Sequence, residues 1–294
     1  MAVPSASRES KTPFPRTCAL LAYNHADTLP PALRLPIHKF SGGRRAETSG
    51  GAGVGISRAA SGLPSAMKRI LVSWSSGKDS AWALHVLRQQ AKHEIAGLLT
   101  TFNEAFDRVA MHAVRRDLVE KQAAATGVPL WTVPLPWPCS NEQYESLMAQ
   151  ACAKAVAEGI EAVAFGDLFL EDVRTYREKQ MKGTGLEPVF PLWGLPTRSL
   201  AEEMIASGAR AKVTCVDTRK LDQSLAGHEF DQAFLSALGD GVDPYGERGE
   251  FHSFVYAGPM LDSSLPIAVG ETVIRDHFAF ADLFCRSRSR QSQQ

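Results

Sequence analysis

The stretch Arg69-Ile70-Leu71-Val72-Ser73-Trp74-Ser75-Ser76-Gly77-Lys78-Asp79-Ser80, continued by Ala81-Trp82-Ala83-Leu84-His85-Val86-Leu87, decides the fold. An apolar run ends in a small polar loop. The loop opens into a segment whose apolar residues recur three and four apart: Trp82 and Val86, Ala83 and Leu87, Leu84 and Leu87. That spacing is helical and the run before it has the length of a strand, so the stretch reads strand, tight turn, helix. Ser and Gly in the turn let backbone N–H groups approach an anion closely, and the helix behind adds unpaired donors and the positive end of its dipole. The arrangement suits phosphate.

Its spacing is not G-x-x-x-x-G-K-[ST], which excludes the P-loop of kinases and GTPases. It resembles instead the PP-loop, S-G-G-x-D-S, of the ATP pyrophosphatases, which cleave ATP between the α- and β-phosphates. The resemblance makes Ser75, Ser76, Gly77, Lys78, Asp79 and Ser80 nucleotide-binding residues. Ser76 departs from the usual Gly, which matters if the position needs φ > 0 or room for a phosphate.

The chain of 294 residues can hold one large domain or two smaller ones, and 44% hydrophobic content is enough for real cores. Lys plus Arg equals Asp plus Glu at 32 each, so no global positive field recruits nucleic acid or an anionic membrane. Cys18, Cys139, Cys152, Cys215 and Cys285 are scattered and never in C-x-x-C spacing. That argues against a zinc site and a disulfide framework, and for a reducing cytoplasm. No apolar run is long enough to span a bilayer.

Residues 1–66 are rich in Pro, Ser, Gly and Arg, poor in acidic residues and without a sustained period, so they are expected to be a disordered extension. Their composition is that of a transit peptide without its amphipathic helix. Met67-Lys68-Arg69 sits before the first strand as a natural start would. From there short apolar runs alternate with helical periods, the signature of βαβ units and a parallel sheet. Strands are expected at 94–100, 128–133, 160–165 and 211–216. Helices are expected through Met111, Val114 and Leu118 to a stop at Gly127, from Asn141-Glu142 onward, and from a capping box at Ser199-Leu200-Ala201-Glu202. A nucleotide-binding domain at 67–210, a smaller α+β domain at 211–285 and a frayed basic tail at 286–294 complete the division.

The strand at 160–165 ends at Gly166-Asp167, at the carboxyl edge where open α/β sheets bind ligands. Asp167 has two readings, a role at the nucleotide or its metal and an N-cap for the next helix. Arg174 and Arg177 lie one turn apart and read either as a clamp for carboxylate or phosphate or as a solvated face. His112, Arg115 and Arg116 share one turn, with His112 either beside the nucleotide or simply at the surface. Beyond an amphipathic segment at 230–238 comes Asp243-Pro244-Tyr245-Gly246-Glu247-Arg248-Gly249-Glu250, a shaped acidic loop, and His252, Phe254 and Tyr256 then alternate as a strand does.

With these motifs together, residues 67–284 resemble the diphthine–ammonia ligase family of PP-loop enzymes, through Ser75 to Ser80, Gly166-Asp167 with Arg174 after it, and Gly246-Glu247-Arg248-Gly249-Glu250. The PP-loop gives the superfamily, and the G-E-x-G-E loop narrows it. The resemblance implies a HUP-type α/β sheet with helices on both faces and a small C-terminal domain closing over it. It also implies ATP-dependent adenylation of a carboxylate followed by displacement of AMP by ammonia, with diphthine on elongation factor 2 as the family's acceptor. The diphthamide-making members follow G-E-x-G-E with an aromatic, an acidic residue and Thr, whereas Phe251 is here followed by His252-Ser253. This looks like a branch with another acceptor.

Charge then assigns roles. Lys78, the loop amides and Mg²⁺ would neutralise the leaving pyrophosphate, and Asp79 would repel phosphate and so would hold the metal or fix the loop. Glu247 and Glu250 would orient ammonia, take its proton or hold the acceptor with Gly249, and His252 would serve as a base near neutral pH. Two rivals share the PP-loop fold. An RNA-modifying enzyme is disfavoured by the neutral charge and unpaired cysteines, and a non-catalytic ATP sensor leaves Lys78, Asp79 and the acidic loop without a task.

Overall fold

Two-residue alternation in β1 (Lys68–Ser73) sends Ile70 and Val72 into one apolar cluster and Leu71 into another, so the strand is covered on both faces. The computed structural model describes residues 67–109 and 114–286. The expectations for residues 1–66, Met111, His112 and the tail from 287 lie outside the described residues.

The first sheet adds β2 (His93–Asn103), β3 (Arg108–Val109), β4 (Leu130–Leu135), β5 (Ala162–Ala164) and β6 (Glu187–Val189). Pairing runs β4-β2-β1-β5-β6, all parallel, while β3 pairs antiparallel with the end of β2. The sheet is therefore mixed, because the chain doubles back after β2 through a tight turn in which Asp107 N–H donates to the Asn103 carbonyl at 3.0 Å. From β1 the winding goes one way to β2 and β4 and the other way to β5 and β6. The carboxyl ends of β1 and β5 thus flank a topological switch point, the usual ligand crevice of such sheets.

Helices α1 (Lys78–Gln90) and α2 (Arg116–Thr126) cover one face through Trp82, Leu84, Leu87, Leu118 and Val119; α3 (Asn141–Ala157) and α4 (Glu171–Met181) cover the other through Cys152, Ala155 and Met181. Gly127 ends α2 in the left-handed region, as the sequence led us to expect. Ser140 and Gln143 close a reciprocal capping box at the start of α3. The box expected at Ser199 and Glu202 is not used: α5 (Thr197–Ala206) begins earlier, straight after Pro196 with its φ of −63°, which leaves Ser199 inside the helix.

A second, antiparallel sheet joins β7 (Arg210–Asp217), β8 (Phe251–Ala257), β9 (Ile267–Arg275) and β10 (Phe278–Cys285) in the order β8-β7-β10-β9. Between β7 and β8 lies α6 (Gln232–Ala237), capped by Asp231, whose carboxylate accepts Phe234 N–H at 2.9 Å. Val213, Val216, Phe251 and Phe254 join the same cluster as Ile70, Trp82 and Leu84, so burial of shared apolar surface lays the second sheet against α1 and the end of β1. Among the described residues no helix is long and apolar enough to cross a membrane, and Cys139, Cys152, Cys215 and Cys285 are free thiols.

Candidate active site

The loop from Trp74 to Gly77 carries the chain from β1 into α1, and Gly77 caps that helix without a side-chain hydrogen bond. Its N-terminal donors are thus left for other partners. Hydroxyls shape the loop: Ser75 N–H donates to Ser80 Oγ at 3.3 Å, Gly77 N–H to Ser75 Oγ at 3.3 Å, and Ser80 Oγ–H to the Gly77 carbonyl at 3.1 Å. Ser76 has φ +69°, so this position does require the left-handed region that glycine serves best.

Lys78 is 2% exposed. Its Nζ lies 2.8 Å from Asp79 Oδ1, 4.3 Å above the Tyr245 ring and 5.1 Å from that of Phe251. The cation of the first sheet's loop is thereby enclosed by aromatic rings of the second sheet's loop, a favourable cation–π setting.

Gly166 follows β5 and touches the same place from the other strand: a Cβ there would stand 2.7 Å from the Asp79 carbonyl carbon and 2.8 Å from its oxygen. Only glycine lets the end of β5 meet the first turn of α1 this closely. Asp167 is buried and accepts Arg177 Nε–H at 3.4 Å. It does not cap the following helix, whose N-cap is Leu170 without a side-chain bond, so the cap reading of Asp167 is set aside. Arg174 and Arg177 do not form one clamp. Arg177 is tied to Asp167, whereas Arg174 pairs with Glu178 at 2.8 Å and lies over Phe190 and Trp193. Arg115 pairs with Asp282 of β10, and Arg116 with Asp107.

The acidic loop divides its two glutamates. Glu247 Oε1 accepts Leu168 N–H at 2.8 Å, which pins the loop to the segment leaving β5. Burial first, then the Asp79 and Asp167 charges, push the Glu247 carboxyl up to about 8. Burial likewise raises Asp79, with the Asp167 charge adding to the shift and Lys78 opposing it. Glu250, 2% exposed, faces the loop itself: Oε1 accepts Asp243 N–H at 3.5 Å and lies 3.8 Å from Lys220 Nζ, while Oε2 has no hydrogen-bond partner. Gly249, with φ +74° and open space around it, separates the two. Burial and the Lys78 charge pull His252 down to about 4. That places it below the neutral range in which the sequence suggests a base.

Beside the loop opens a cavity of about 450 Å³ lined by Phe169, Leu195, Pro196, Val242, Asp243 and Arg248, among others. Phe169 follows Gly166 by three residues, at most roughly 11 Å of chain, so the cavity lies near the loop that holds Lys78. Among the described residues no three His, Cys, Asp or Glu side chains gather as a ready metal site. Mg²⁺ that arrives on phosphates needs one or two protein carboxylates. Asp79, whose side chain is 31% exposed and carries a neighbouring acid's field, fits that need.

Residues 67–188 match the family described as diphthamide synthase N-terminal domain, and residues 196–285 match the diphthamide synthase C-terminal domain. The chain belongs to the diphthamide synthase family. It is 24% identical over 238 residues to the diphthine–ammonia ligase of Mus musculus, which covers 72% of this chain and 88% of that protein. The diphthamide synthase domains thus cover both halves of the site, the N-terminal one carrying Ser75 to Ser80 and Asp167 and the C-terminal one carrying Glu247 to His252. Residue-by-residue reading missed Tyr245, Asp243, Gln122 and Ser253. Asp243 accepts Tyr245 N–H at 3.3 Å and Glu247 N–H at 2.9 Å, a turn that its position ahead of Pro and Gly could have signalled.

Proposed function

We propose that the chain is an ATP-dependent ligase that joins ammonia to a carboxylate, with AMP and pyrophosphate as the other products. The observation that carries this reading is the junction of the two loops. Glu247 accepts Leu168 N–H at 2.8 Å at the carboxyl edge of the first sheet, and Lys78 Nζ sits 4.3 Å over Tyr245. A nucleotide on the loop at 75–80 would therefore lie beside the acidic groups, as two-substrate chemistry needs. Membership of the diphthamide synthase family and the likeness to a diphthine–ammonia ligase support the same reaction type.

In the proposed sequence Lys78 and the start of α1 balance the phosphate charge. An oxygen of the acceptor carboxylate attacks the α-phosphorus and pyrophosphate leaves with the bridging oxygen. Ammonia then attacks the acyl carbon, the bond to AMP breaks, and one proton passes to Glu247 in its deprotonated form, whose share grows as the pH approaches about 8. With its carboxyl shifted to about 8, Glu247 is tuned to exchange a proton near neutral pH. Mg²⁺, when bound with the phosphates and held by Asp79, supplies further neutralisation of the leaving group. Arg177 steadies Asp167 behind the site, and Glu250 and Gly249 set the loop's shape. The cavity beside Arg248 receives the acceptor. His252 stands where the diphthamide-making members carry an acidic residue, and loss of that negative charge favours an acceptor other than a cationic one. ATP and the free thiols both suit the cytoplasm.

The test is product analysis with α-labelled ATP, ammonia and a panel of carboxylates that includes diphthine-bearing elongation factor 2. Ammonia-dependent AMP and pyrophosphate support the ligase, and ADP refutes it. Amide on the elongation factor would overturn the inference of a different acceptor while leaving the reaction type standing.

A further inference from the structure

Behind the phosphate loop, buried groups from three parts of the chain meet. Gln122, on the inner face of α2, has no exposed surface. Its Oε1 accepts Trp74 Nε1–H at 2.9 Å, and its Nε2 donates to the carbonyls of Ser76 at 2.9 Å and Val255 at 2.6 Å. The partners fix the amide's orientation, because an indole N–H needs an acceptor and two carbonyls need donors. Strand β8 adds two further bonds: Val255 N–H donates to the Ser76 carbonyl at 3.1 Å, and Lys78 N–H donates to Ser253 Oγ at 3.2 Å.

Two of these bonds end on the carbonyl of a residue whose own preference opposes its conformation. Ser76 holds φ +69°, which is costly for a residue with a Cβ. Its Oγ is buried without a hydrogen-bond partner, so the side chain returns nothing for the strain. The carbonyl, by contrast, takes two hydrogen bonds, one from Gln122 and one from Val255. A glycine would adopt this φ unaided. In this chain the surroundings must impose it.

We infer that Gln122 is the positioning residue of the phosphate loop: by holding the Ser76 carbonyl against β8 it keeps Ser76 left-handed and the loop shaped for ATP. This rests on the reading of the loop at 75–80 as the ATP site. It goes further by making ATP affinity depend on a residue far from the nucleotide in sequence and on contact with the second sheet.

The test is ATP affinity of the full chain by titration calorimetry, with melting temperature recorded alongside. Gln122→Met should weaken ATP about tenfold, or about 1.4 kcal/mol, as the competent loop falls to roughly a tenth of the population. Adding Ser76→Gly should bring affinity back to within about threefold of wild type. The melting temperature should stay low, since glycine does not remake the bonds of Gln122. Trp74→Phe, which removes the donor that orients the amide, should show a smaller loss with the same rescue, and it decides the matter if Gln122→Met does not fold. Wild-type affinity in both Gln122→Met and Trp74→Phe, or a loss that Ser76→Gly does not reverse, overturns the inference. Failure of the wild-type chain to bind ATP overturns the ATP-site reading and the inference with it, and so is told apart from failure of the inference alone.

Discussion

Replacing Glu247 by Gln should change how stability depends on pH, by an amount the site itself sets. In the unfolded chain Glu247 titrates near 4.5 and His252 near 6.5; in the folded protein burial and the Asp79 and Asp167 charges push Glu247 up to about 8, and burial and Lys78 pull His252 down to about 4. Between 4.5 and about 8 the folded protein holds a proton on Glu247 that the unfolded chain has lost. Stability from this group is full below 4.5 and falls by about 1.4 kcal/mol per pH unit until the folded value is passed. His252 acts with the opposite sign, since between about 4 and 6.5 the unfolded chain holds the extra proton and stability rises with pH. The two effects oppose each other up to 6.5, and above it Glu247 acts alone of the pair. From pH 6.5 to 8 the wild-type chain should therefore lose about 2 kcal/mol more than Glu247→Gln, roughly 4–8 °C in melting temperature for a chain of this size. Gln can still accept Leu168 N–H, so the comparison isolates the charge. Urea unfolding of both proteins at the two pH values, without ATP or divalent cations, measures the difference. Parallel pH profiles would refute the account of Glu247 as a buried acid pressed by its neighbours.

Lys78→Ala removes the cation enclosed by Asp79, Tyr245 and Phe251 and should weaken ATP binding by about 1.5–3 kcal/mol, roughly tenfold to a hundredfold; an unchanged dissociation constant would separate Lys78 from the phosphates. Gly166→Ala forces a methyl to within 2.8 Å of the Asp79 carbonyl, which should cost about 1–3 kcal/mol of stability and displace the loop at the same time. Wild-type melting and ATP affinity in that variant would show that the contact between the end of β5 and the start of α1 has slack.

Much of this arrangement was legible because its signals are local. The stretch at 69–87 changes from a short apolar run to apolar residues three and four apart, and β1 and α1 follow it. Gly166-Asp167 could be placed at a carboxyl edge because the end of a strand is read from chain direction alone, whereas the switch point needs the strand order of the folded sheet. β9 and β10 were not read, and the reason is physical. In β10 the inward residues are Ala279, Ala281 and Leu283, while the larger Phe278 and Phe280 stand half-exposed, so hydrophobicity runs against burial. β3 spans two residues, too few to carry a period. In the site, Gln122 has no local signature, since its partners Trp74, Ser76 and Val255 come from distant parts of the chain. For His252 the local pattern carries no information on the burial and the Lys78 charge that pull it down to about 4.

The acidic loop shows best why a motif is more than its charges. In Gly246-Glu247-Arg248-Gly249-Glu250 the two glutamates are three residues apart and would share a face on a helix. Left-handed conformations at Gly246, φ +69°, and Gly249, φ +74°, prevent a helix and turn the carboxylates apart. A Cβ on Gly246 would lie 2.8 Å from the Phe251 ring, the ring that sits 5.1 Å from Lys78 Nζ. The first glycine therefore also fixes the aromatic wall around the cation. Glu247 leaves the loop to reach Leu168 N–H, while Glu250 turns back toward Asp243 N–H and Lys220. Asp243 in turn accepts Glu247 N–H, so the second glutamate holds the residue that holds the first. A buried carboxylate with one oxygen unbonded is expensive unless its other contacts maintain something of value. The contacts of Glu250 run through Asp243 to Glu247 and so support the placement of Glu247 at the edge of the first sheet.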